Sequence, residues 1–158
     1  GSPAKLSRAT VFSSSESWSQ AMIAHLWSDA EGRLLIDPAS CVVDGVVVCQ
    51  GYNDFERLQW LGNKSGKTAI FSTQESGKWR CVEAQVRLND PGQKNGVQAF
   101  WIDDKLEVRR ENLDFVGTYT EYAINGIFFE NYWNAGSPVE QERYFDNIVV
   151  STQRIGCR

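Results

Sequence analysis

The 158-residue chain lacks several features that mark well-known classes of protein. It has one histidine, His25, and no G-x-S-x-G motif, so we predict no Ser-His-Asp or Cys-His catalytic centre. The absence of a CxxC pair and of any Cys/His cluster argues against a zinc site. No P-loop or dinucleotide fingerprint is present, and no apolar run approaches the ~20 residues that a membrane helix requires. We therefore expect no membrane insertion and no nucleotide binding through these motifs.

The chain also lacks an excess of basic charge. Sixteen basic and twenty acidic side chains give a net charge of −4, which argues against a nucleic-acid partner because a phosphate backbone is bound by a basic surface. A local basic groove for an acidic sugar, supplied by Arg87, Arg109 and Arg110, is compatible with this balance. No basic-then-apolar segment opens the sequence, so we expect no signal peptide in it, and Gly1-Ser2 resemble a cloning scar.

Apolar residues alternate with other residues from residue 33 onward, and this period of two predicts strands. The candidate strands are 33–37, 41–43, 46–50, 56–61, 67–72, 79–88, 96–102, 105–110, 118–131 and 143–152. Gly, Asn, Asp, Ser or Pro occupies each gap between them. Such a series predicts an all-β fold, a two-sheet antiparallel sandwich of the jelly-roll type. We assign residues 9–158 to one such domain and residues 1–8 to a tag or disordered N-terminus.

One short helix is predicted near the N-terminus, over residues 16–28. Trp18, Met22 and Leu26 recur at a spacing of four, and Ser14 or Ser15 would cap the first turn. The aromatic and alternating residues of this segment are equally compatible with a strand.

Two of the four cysteines flank a predicted hairpin. Cys41 and Cys49 enclose VVDGVVV, whose Asp-Gly pair is typical of a tight turn. A three-residue loop at 44–46 would set Cys41 directly opposite Cys49, whereas a two-residue loop at 44–45 would set it opposite Val48. The hairpin therefore makes a Cys41–Cys49 disulfide a candidate without deciding it.

The other two cysteines, Cys81 and Cys157, form a second candidate pair. Two disulfides would suit a secreted or periplasmic protein. Four buried thiols in a cytoplasmic protein are the alternative, because a free cysteine packs as a small apolar residue.

Strand 79–88 separates two kinds of side chain most clearly. One face carries Val82, Ala84, Val86 and Leu88 and should pack into the core. The other face carries Trp79, Glu83, Gln85 and Arg87. This polar face is either solvated or a sugar-binding surface, on which the ring of Trp79 would stack against a sugar.

Eliminative cleavage of a uronate polysaccharide would need a group that neutralises the carboxylate and a group that moves a proton. Gln85 and Arg87 fit the first role, and Tyr132, Tyr144 or Tyr122 fits the second. A tyrosine base would need a nearby cation, because a free phenol titrates near pH ~10. Each tyrosine also fits a core ring with its hydroxyl at the rim.

Acidic residues give weaker signals. Glu83, Glu121 and Glu130 are candidates for a glycosidase pair, but no E-x-D-x-E strand motif accompanies them, so we disfavour glycoside hydrolysis. Asp103 and Asp146 are candidate oxygen ligands for Ca²⁺. A turn between two strands explains the Asp-Asp pair at 103–104 more simply.

The second half of the chain carries a family resemblance. The run W-x-x-x-E…V-x-L-N-x-P-G-x-x-N-G-V-x-x-x-W-I-D, from Trp79 to Asp104, and the run YFDNIVVST at 144–152 resemble polysaccharide lyase-like jelly rolls. These are domains of the glucuronan lyase type (polysaccharide lyase family 20) and related concanavalin A-like sandwiches. The resemblance covers about residues 78–157, and it implies the sandwich, a sugar ligand and, more remotely, lyase chemistry.

The resulting hypothesis is a domain that interacts with a carbohydrate, with an acidic polysaccharide as a candidate, without demonstrated catalysis. One alternative is a compact polysaccharide lyase that cleaves a polyuronate by β-elimination. The other is a structural or protein-interaction sandwich with no glycan ligand.

Overall fold

The computed structural model describes residues 4–14 and 17–157. These residues form eleven strands: β1 (Ala4–Phe12), β2 (Gln20–Ser28), β3 (Leu34–Ser40), β4 (Val42–Val43), β5 (Val46–Val47), β6 (Gln59–Trp60), β7 (Lys64–Ser65), β8 (Val82–Arg87), β9 (Gly96–Ile102), β10 (Lys105–Leu113) and β11 (Gly126–Trp133). The described part of the chain has one short 3-10 helix, Thr73–Glu75, and no helix long and apolar enough to cross a membrane.

Two antiparallel sheets make up the fold. The larger sheet has six strands in the order β11-β1-β2-β3-β6, with β7 also paired to β3, and the smaller has the order β10-β9-β8. Strands β4 and β5 form a separate hairpin. The predicted all-β, two-sheet antiparallel architecture is confirmed.

The core lies between the two sheets. One buried cluster joins the larger sheet to β9 and β10 through Leu6, Leu26, Leu34, Ile36, Phe100, Ile102 and Val108. A second cluster joins it to the end of β10 and the following loop through Val11, Met22, Ala24, Leu113, Phe115 and Tyr119. Because successive side chains of a strand point to opposite faces, the neighbours of these core residues point away from the smaller sheet.

The predicted helix at 16–28 is wrong, because residues 20–28 form the central strand β2. All nine residues of β2 are buried, since one face packs into the core and the other is covered by rings from neighbouring strands. Met22 and Leu26 share a face in a strand as well, because their spacing is even. Of the proposed caps, Ser14 donates a hydrogen bond to Glu121 over 2.6 Å, and Ser15 lies outside the described residues.

Part of the predicted N-terminal tag belongs to the fold. Residues 4–8 lie in β1, which pairs with β2 on one side and β11 on the other. Lys5 and Arg8 are nearly completely buried in this strand, and their polar character concealed its central position. The suggestion that Gly1-Ser2 are a cloning scar concerns residues outside the described range.

The predicted strand 67–72 and the first part of the predicted strand 118–131 are loops, because side chains take the place of a neighbouring strand. At 67–72, the Glu107 carboxylate accepts backbone hydrogen bonds from Lys67 and Thr68 at 2.6 and 3.0 Å. At 118–125, the strand starts only at Gly126, and the Asn125 side chain bonds both the N–H and the carbonyl oxygen of Phe12. Each segment thus satisfies backbone groups without a ladder.

The segment predicted as a strand over 143–152 is also irregular. Its first residue, Arg143, donates hydrogen bonds to the carbonyl oxygens of Lys5 and Glu130 at 2.8 and 3.0 Å. These carbonyls lie where the β1–β11 register shifts between Lys5 and Ser7, so a guanidinium completes the pairing that the bulge interrupts. The segment is held by side chains and not by a strand partner.

The first disulfide closes the predicted hairpin. Cys41 is bonded to Cys49, with 5.7 Å between their Cα atoms. Val43 pairs with Val46, so the turn has two residues, and the Cys41 carbonyl accepts a hydrogen bond from Val48. Cys41 therefore lies opposite Val48 and not opposite Cys49. The disulfide forms because the chain leaves the ladder after β5 and places Cys49 beside Cys41.

The second disulfide joins Cys81 to Cys157 across 76 positions of sequence. It fastens the end of the described chain beside the first residue of β8. The structure thus pairs all four cysteines, and none of the described cysteines is free.

Candidate functional site

Two rows of side chains cross the outer face of the six-stranded sheet, the face turned away from the smaller sheet. In the first row Lys5 of β1 lies between Tyr132 of β11 and Trp27 of β2. The second row contains, in order across the sheet, Phe128, Arg8, His25 and Asp37. The register of four strands therefore collects two cations, a histidine and several rings on one surface.

A cavity of about 260 Å³ opens over these rows. It is lined by Lys5, Arg8, Tyr52, Asn53, Phe55, Glu130, Tyr132 and Asn134. The first two strands of the sheet order supply its floor, and the loop 50–58 supplies one wall. That loop is ordered by Asp54, whose carboxylate accepts hydrogen bonds from the Gln50 N–H at 2.8 Å and from Arg57 at 2.9 Å.

Arg8 is the best-held side chain of the site. Only 4% of it is exposed. Its Nη1 donates to Asn53 Oδ1 and its Nη2 donates to Glu130 Oε1, both at 2.8 Å. Its guanidinium carbon lies 4.7 and 4.9 Å from the ring centroids of Tyr52 and Phe128, distances at which cation–π attraction is effective. Burial, the ion pair and the two rings fix the orientation of this cation.

Lys5 is the second buried cation, with 3% of its surface exposed. Its Nζ lies 5.1 Å from the Tyr132 ring centroid and 5.9 Å from those of Trp27 and Phe55. Burial and the charge of Arg8 lower the pKa of this amine, while Glu130 opposes the shift. The fraction of neutral amine near neutral pH is therefore larger than in a solvated lysine.

His25 lies at the centre of the sheet and is fully buried. Burial, followed by the charges of Arg8 and Lys5, lowers its pKa to about 3, so the ring is neutral at ordinary pH. The backbone of Asp37 opposes this lowering without reaching hydrogen-bond geometry with the ring. The ring centroid lies 4.5 Å from that of Trp27 and 6.0 Å from that of Trp60. His25 therefore supports the indoles that cover it.

Asp37 lies next to His25 in the second row, and its pKa is raised, whereas that of His25 is lowered. Burial raises the pKa of Asp37 to about 6, and the nearby charge of Arg110 limits the rise. A carboxyl that titrates near neutral pH on a surface with two buried cations is characteristic of functional sites.

Unpartnered polar atoms are concentrated on this surface. Among residues 4–14 and 17–157, six buried side-chain polar atoms have no hydrogen-bond partner. Five of them belong to this face: Arg8 Nε, His25 Nδ1, His25 Nε2, Trp27 Nε1 and Glu130 Oε2. The sixth, Gln98 Oε1, lies between the sheets, where its amide donates to the His25 carbonyl. Because buried polar groups are normally paired, this grouping on one face of the sheet makes that face the candidate site.

The face of β8 predicted from the sequence has a different environment. Glu83 lies under the C-terminal residues and accepts hydrogen bonds from the N–H groups of Ile155 and Gly156 at 2.7 and 3.2 Å. Arg154 adds an ion pair at 3.4 Å, and the side chain of Glu83 is 11% exposed. Its carboxylate is therefore occupied by its own chain.

Gln85, Arg87 and Trp79 are exposed, and they border a broad open space of about 2370 Å³ that also runs along residues 141–156. Arg87 donates to the Asn95 carbonyl at 2.6 Å. Gln85 accepts a hydrogen bond from Arg109 at 3.4 Å. A role of these residues in binding remains a prediction.

The tyrosines predicted to move a proton are separated by the fold. Tyr132 joins Lys5 in the first row of the site, whereas Tyr144 donates a hydrogen bond to Glu142 at 2.6 Å and lies on the irregular segment. Tyr122 is exposed in the loop before β11. Of the residues predicted to take part in cleavage, only Tyr132 lies in the candidate site. Gln85 and Arg87, which were predicted to bind the carboxylate, lie on the smaller sheet.

The two candidate calcium ligands lie apart in different local structures. Asp103 accepts hydrogen bonds from Arg80 and from the Cys81 N–H at 2.7 and 3.1 Å, and it forms the turn between β9 and β10. Asp146 accepts one from the N–H of its neighbour Asn147. Within the described ranges, no group of three or more His, Cys, Asp or Glu side chains could hold a metal ion.

Sequence reasoning missed Lys5, Arg8, His25 and Trp60. A signal for the first two was present, because Lys5, Arg8 and Thr10 are interleaved with the apolar residues Leu6, Ala9 and Val11. This pattern was hidden by the bulge, which breaks the strict period of two.

Comparisons with known proteins agree with the resemblance of the second half of the chain. The family model described as polysaccharide lyase 14 matches residues 61–148, more than half of the sequence. No curated protein and no solved structure matches the chain. The lyase-like resemblance is thereby confirmed, whereas assignment to family 20 is not. The matched range includes Glu130 and Tyr132 and begins after Lys5 and Arg8. By this match the chain belongs to the polysaccharide lyase 14 family.

Proposed function

We propose that the protein binds an acidic polysaccharide over the cavity lined by Lys5, Arg8 and Tyr132. The observation that carries this proposal is the group of five unpartnered buried polar atoms around two buried cations. A uronate offers a carboxylate for the cations and hydroxyls that can both donate and accept. Membership of a polysaccharide lyase family supports a sugar as the ligand.

The charge of the cavity favours an anion. Lys5 and Arg8 contribute two positive charges to its lining and Glu130 contributes one negative charge. The ion pair with Glu130 uses one side of the Arg8 guanidinium and leaves Nε unpartnered. An incoming carboxylate would thus approach a guanidinium of fixed orientation beside an ammonium, and such pairs form strong charge-assisted hydrogen bonds.

Calorimetry with glucuronan and alginate tests this proposal. We expect binding in the wild type and an affinity at least about tenfold lower in Lys5→Met, because a desolvated charge contact is worth more than about 1.4 kcal/mol. Lys105→Met is the matched control, since Lys105 is exposed on the smaller sheet. Binding that is equal in both variants, or that is absent for every acidic glycan, would overturn the proposal and favour a structural role.

A second candidate function is β-eliminative cleavage of the bound polyuronate. It is favoured by the position of the Lys5 amine 5.1 Å from the Tyr132 ring, together with the lowered pKa of the amine. The neutral amine would remove the proton beside the carboxylate, and the electron pair would form the C4–C5 double bond as the C4–O bond breaks. The Tyr132 hydroxyl would give its proton to the leaving oxygen, and Arg8 would stabilise the charge on the carboxylate.

The unsaturated product absorbs ultraviolet light, so a polyuronate digest followed by absorbance tests the chemical step. We expect Tyr132→Phe to abolish the absorbance rise while it preserves binding, because the ring stays and only the hydroxyl is removed. Tyr144→Phe should cleave like the wild type. A wild type that binds but produces no absorbance change across a pH series would limit the function to binding.

We further infer that the protein works in an oxidising compartment, secreted or periplasmic. The two disulfides support this inference, because such bonds persist outside the reducing cytoplasm. Thiol labelling of the protein isolated from its native source would find four free thiols if the inference is wrong.

A further inference from the structure

Two exposed aromatic rings continue the site beyond the cavity. Phe55 lines the cavity wall, and Trp60 of β6 lies beside it, with 6.3 Å between their ring centroids and 8° between their planes. Their exposed fractions are 48% and 42%. The Phe55 centroid is 5.9 Å from Lys5 Nζ, so this pair of parallel rings begins where the charged part of the site ends.

The ring pair is held in place from below. Trp60 rests against the buried rings of His25 and Trp27, at centroid distances of 6.0 and 6.1 Å. Its backbone is fixed by the pairing of β6 with β3 at Ala39. Exposed rings on a rigid support lose little conformational freedom when a ligand covers them.

The loop that carries Phe55 is anchored at both sides. The Cys41–Cys49 disulfide fixes its start. Within it, the Asp54 carboxylate accepts the Gln50 N–H at 2.8 Å, and the Asp54 carbonyl accepts the Leu58 N–H at 3.1 Å. Phe55 therefore lies within a hydrogen-bonded turn, and its position in the loop is fixed.

We propose that Phe55 and Trp60 form a stacking subsite for the sugar residue next to the one whose carboxylate is held at Lys5 and Arg8. This inference rests on the proposed function and adds the direction of the chain, from the cavity across the β6 edge of the sheet. A pyranose ring has a face of C–H groups, which the electron-rich face of an aromatic ring attracts. The subsite requires no charge, so it contributes affinity only for ligands longer than one residue.

Ligand length is therefore the variable to test. Calorimetry with glucuronate and with a series of glucuronan oligosaccharides should show affinity that rises between the monosaccharide and the longer chains. We expect Trp60→Ala to reduce the affinity for the oligosaccharides about tenfold and to leave that for glucuronate unchanged. Phe55 also lines the cavity, so Phe55→Ala should weaken both, with a larger loss for the oligosaccharides than for glucuronate. Where cleavage is measured, KM should rise while kcat stays close to that of the wild type.

Trp79→Ala is the matched control, because Trp79 is the more exposed indole at 69% and lies outside this surface. Its affinity for every ligand should equal that of the wild type. Trp60→Phe is the second variant, which keeps a flat ring and should restore most of the lost affinity if stacking is the cause.

The outcomes separate the subsite from the proposed function. If Lys5→Met abolishes binding of all lengths but Trp60→Ala and Phe55→Ala bind oligosaccharides normally, the subsite is refuted and the function stands. If no uronate binds, or Lys5→Met has no effect, the function itself is refuted. Equal losses for glucuronate and the oligosaccharides in Trp60→Ala would also refute the subsite, since they would indicate damage to the cavity.

Discussion

Two polar surfaces lie on opposite outer faces of this sandwich, and their hydrogen bonding differs. On the smaller sheet, Glu83 is paired with the backbone of Ile155 and Gly156 and with Arg154. On the larger sheet, the side chains of Arg8 and Glu130 are about as buried as that of Glu83, but each has one polar atom without a hydrogen-bond partner. The carboxylate on the first surface is paired within its own chain, whereas the ion pair on the second surface leaves buried polar atoms without a partner.

This difference teaches that residue type alone does not identify a binding surface. Glu, Gln and Arg under a Trp on β8 have the composition of a sugar site, and the C-terminal segment occupies the acid among them. Lys5 and Arg8 have the composition of a solvated tail, and the fold buries both beside rings. The candidate site is therefore identified by polar groups that the fold buries beside a cavity without a hydrogen-bond partner.

The disulfides give the largest expected effect and separate the two surfaces directly. Because Cys81–Cys157 closes a loop of 76 positions and Cys41–Cys49 one of 8, replacing the first pair with serine should lower the unfolding free energy by about 4.5 kcal/mol and the second by about 2.5 kcal/mol. For glucuronan affinity we expect the reverse order, because the shorter loop anchors the wall of the cavity. Denaturant unfolding measures the loss of stability in both double variants, and calorimetry measures their loss of glucuronan affinity. If the same variant shows the larger loss in both experiments, the prediction is contradicted.

Removal of one arginine from each surface is the next test. Arg8→Met leaves the Glu130 carboxylate buried without its ion pair, so we expect a loss of about 3 kcal/mol in unfolding free energy. Arg87→Met removes an exposed side chain and should change stability by less than about 0.5 kcal/mol. Chemical denaturation of the two variants in the same buffer gives the comparison. Equal losses would show that the two surfaces do not differ in burial energetics.

The titration of His25 gives a smaller effect with a defined sign. Its pKa is about 3 in the folded protein and 6.5 in the reference state, so the unfolded chain takes up a proton as the pH falls through 6.5 and the folded chain does not. The wild type should therefore lose about 2 kcal/mol relative to His25→Phe between about pH 6.5 and about pH 5. Unfolding curves of both proteins at several pH values test this. Parallel pH dependences would mean that the ring is not held neutral.

The smallest effect is expected on the smaller sheet. Glu83→Gln keeps an acceptor for one backbone N–H but loses the charge that pairs with Arg154, so we expect a destabilisation of about 1 kcal/mol. Binding of glucuronan should not change. A large loss of affinity in this variant would return the sugar site to β8 and would reverse the comparison.

The sequence predicted the elements whose patterns are local. Strand β9 was predicted over its full range, and the Asp103-Asp104 pair was recognised as a turn, which both residues form with positive φ. β9 is buried on both faces, but its short apolar run lies between turn residues, Asn95-Gly96 before it and Asp103-Asp104 after it. Tyr132 was named for its chemistry and not for its place in the fold, since the strand predicted over 118–131 ends before it and the observed strand is Gly126–Trp133.

Elements that depend on distant partners were not predictable in the same way. β2 is buried on both faces, so its apolar run has no period that separates strand from helix. β1 has buried cations whose partners include the rings of Tyr52, Phe128 and Tyr132 and the carboxylate of Glu130, all more than 40 positions away in the sequence. The candidate site is built from such pairs, and local patterns do not contain them.

The hydrogen bond from Arg143 to the Lys5 carbonyl has a consequence for how the protein folds. It joins residues 138 positions apart, and β1 pairs with β11, which lies more than 110 positions further along the chain. Contacts of such long sequence separation form late and slowly. Lys5 and Arg8 therefore stay exposed to water until residues 126–143 reach β1. A fragment that stops before Arg143 would contain every residue that lines the cavity and would still lack the guanidinium that holds its floor in register.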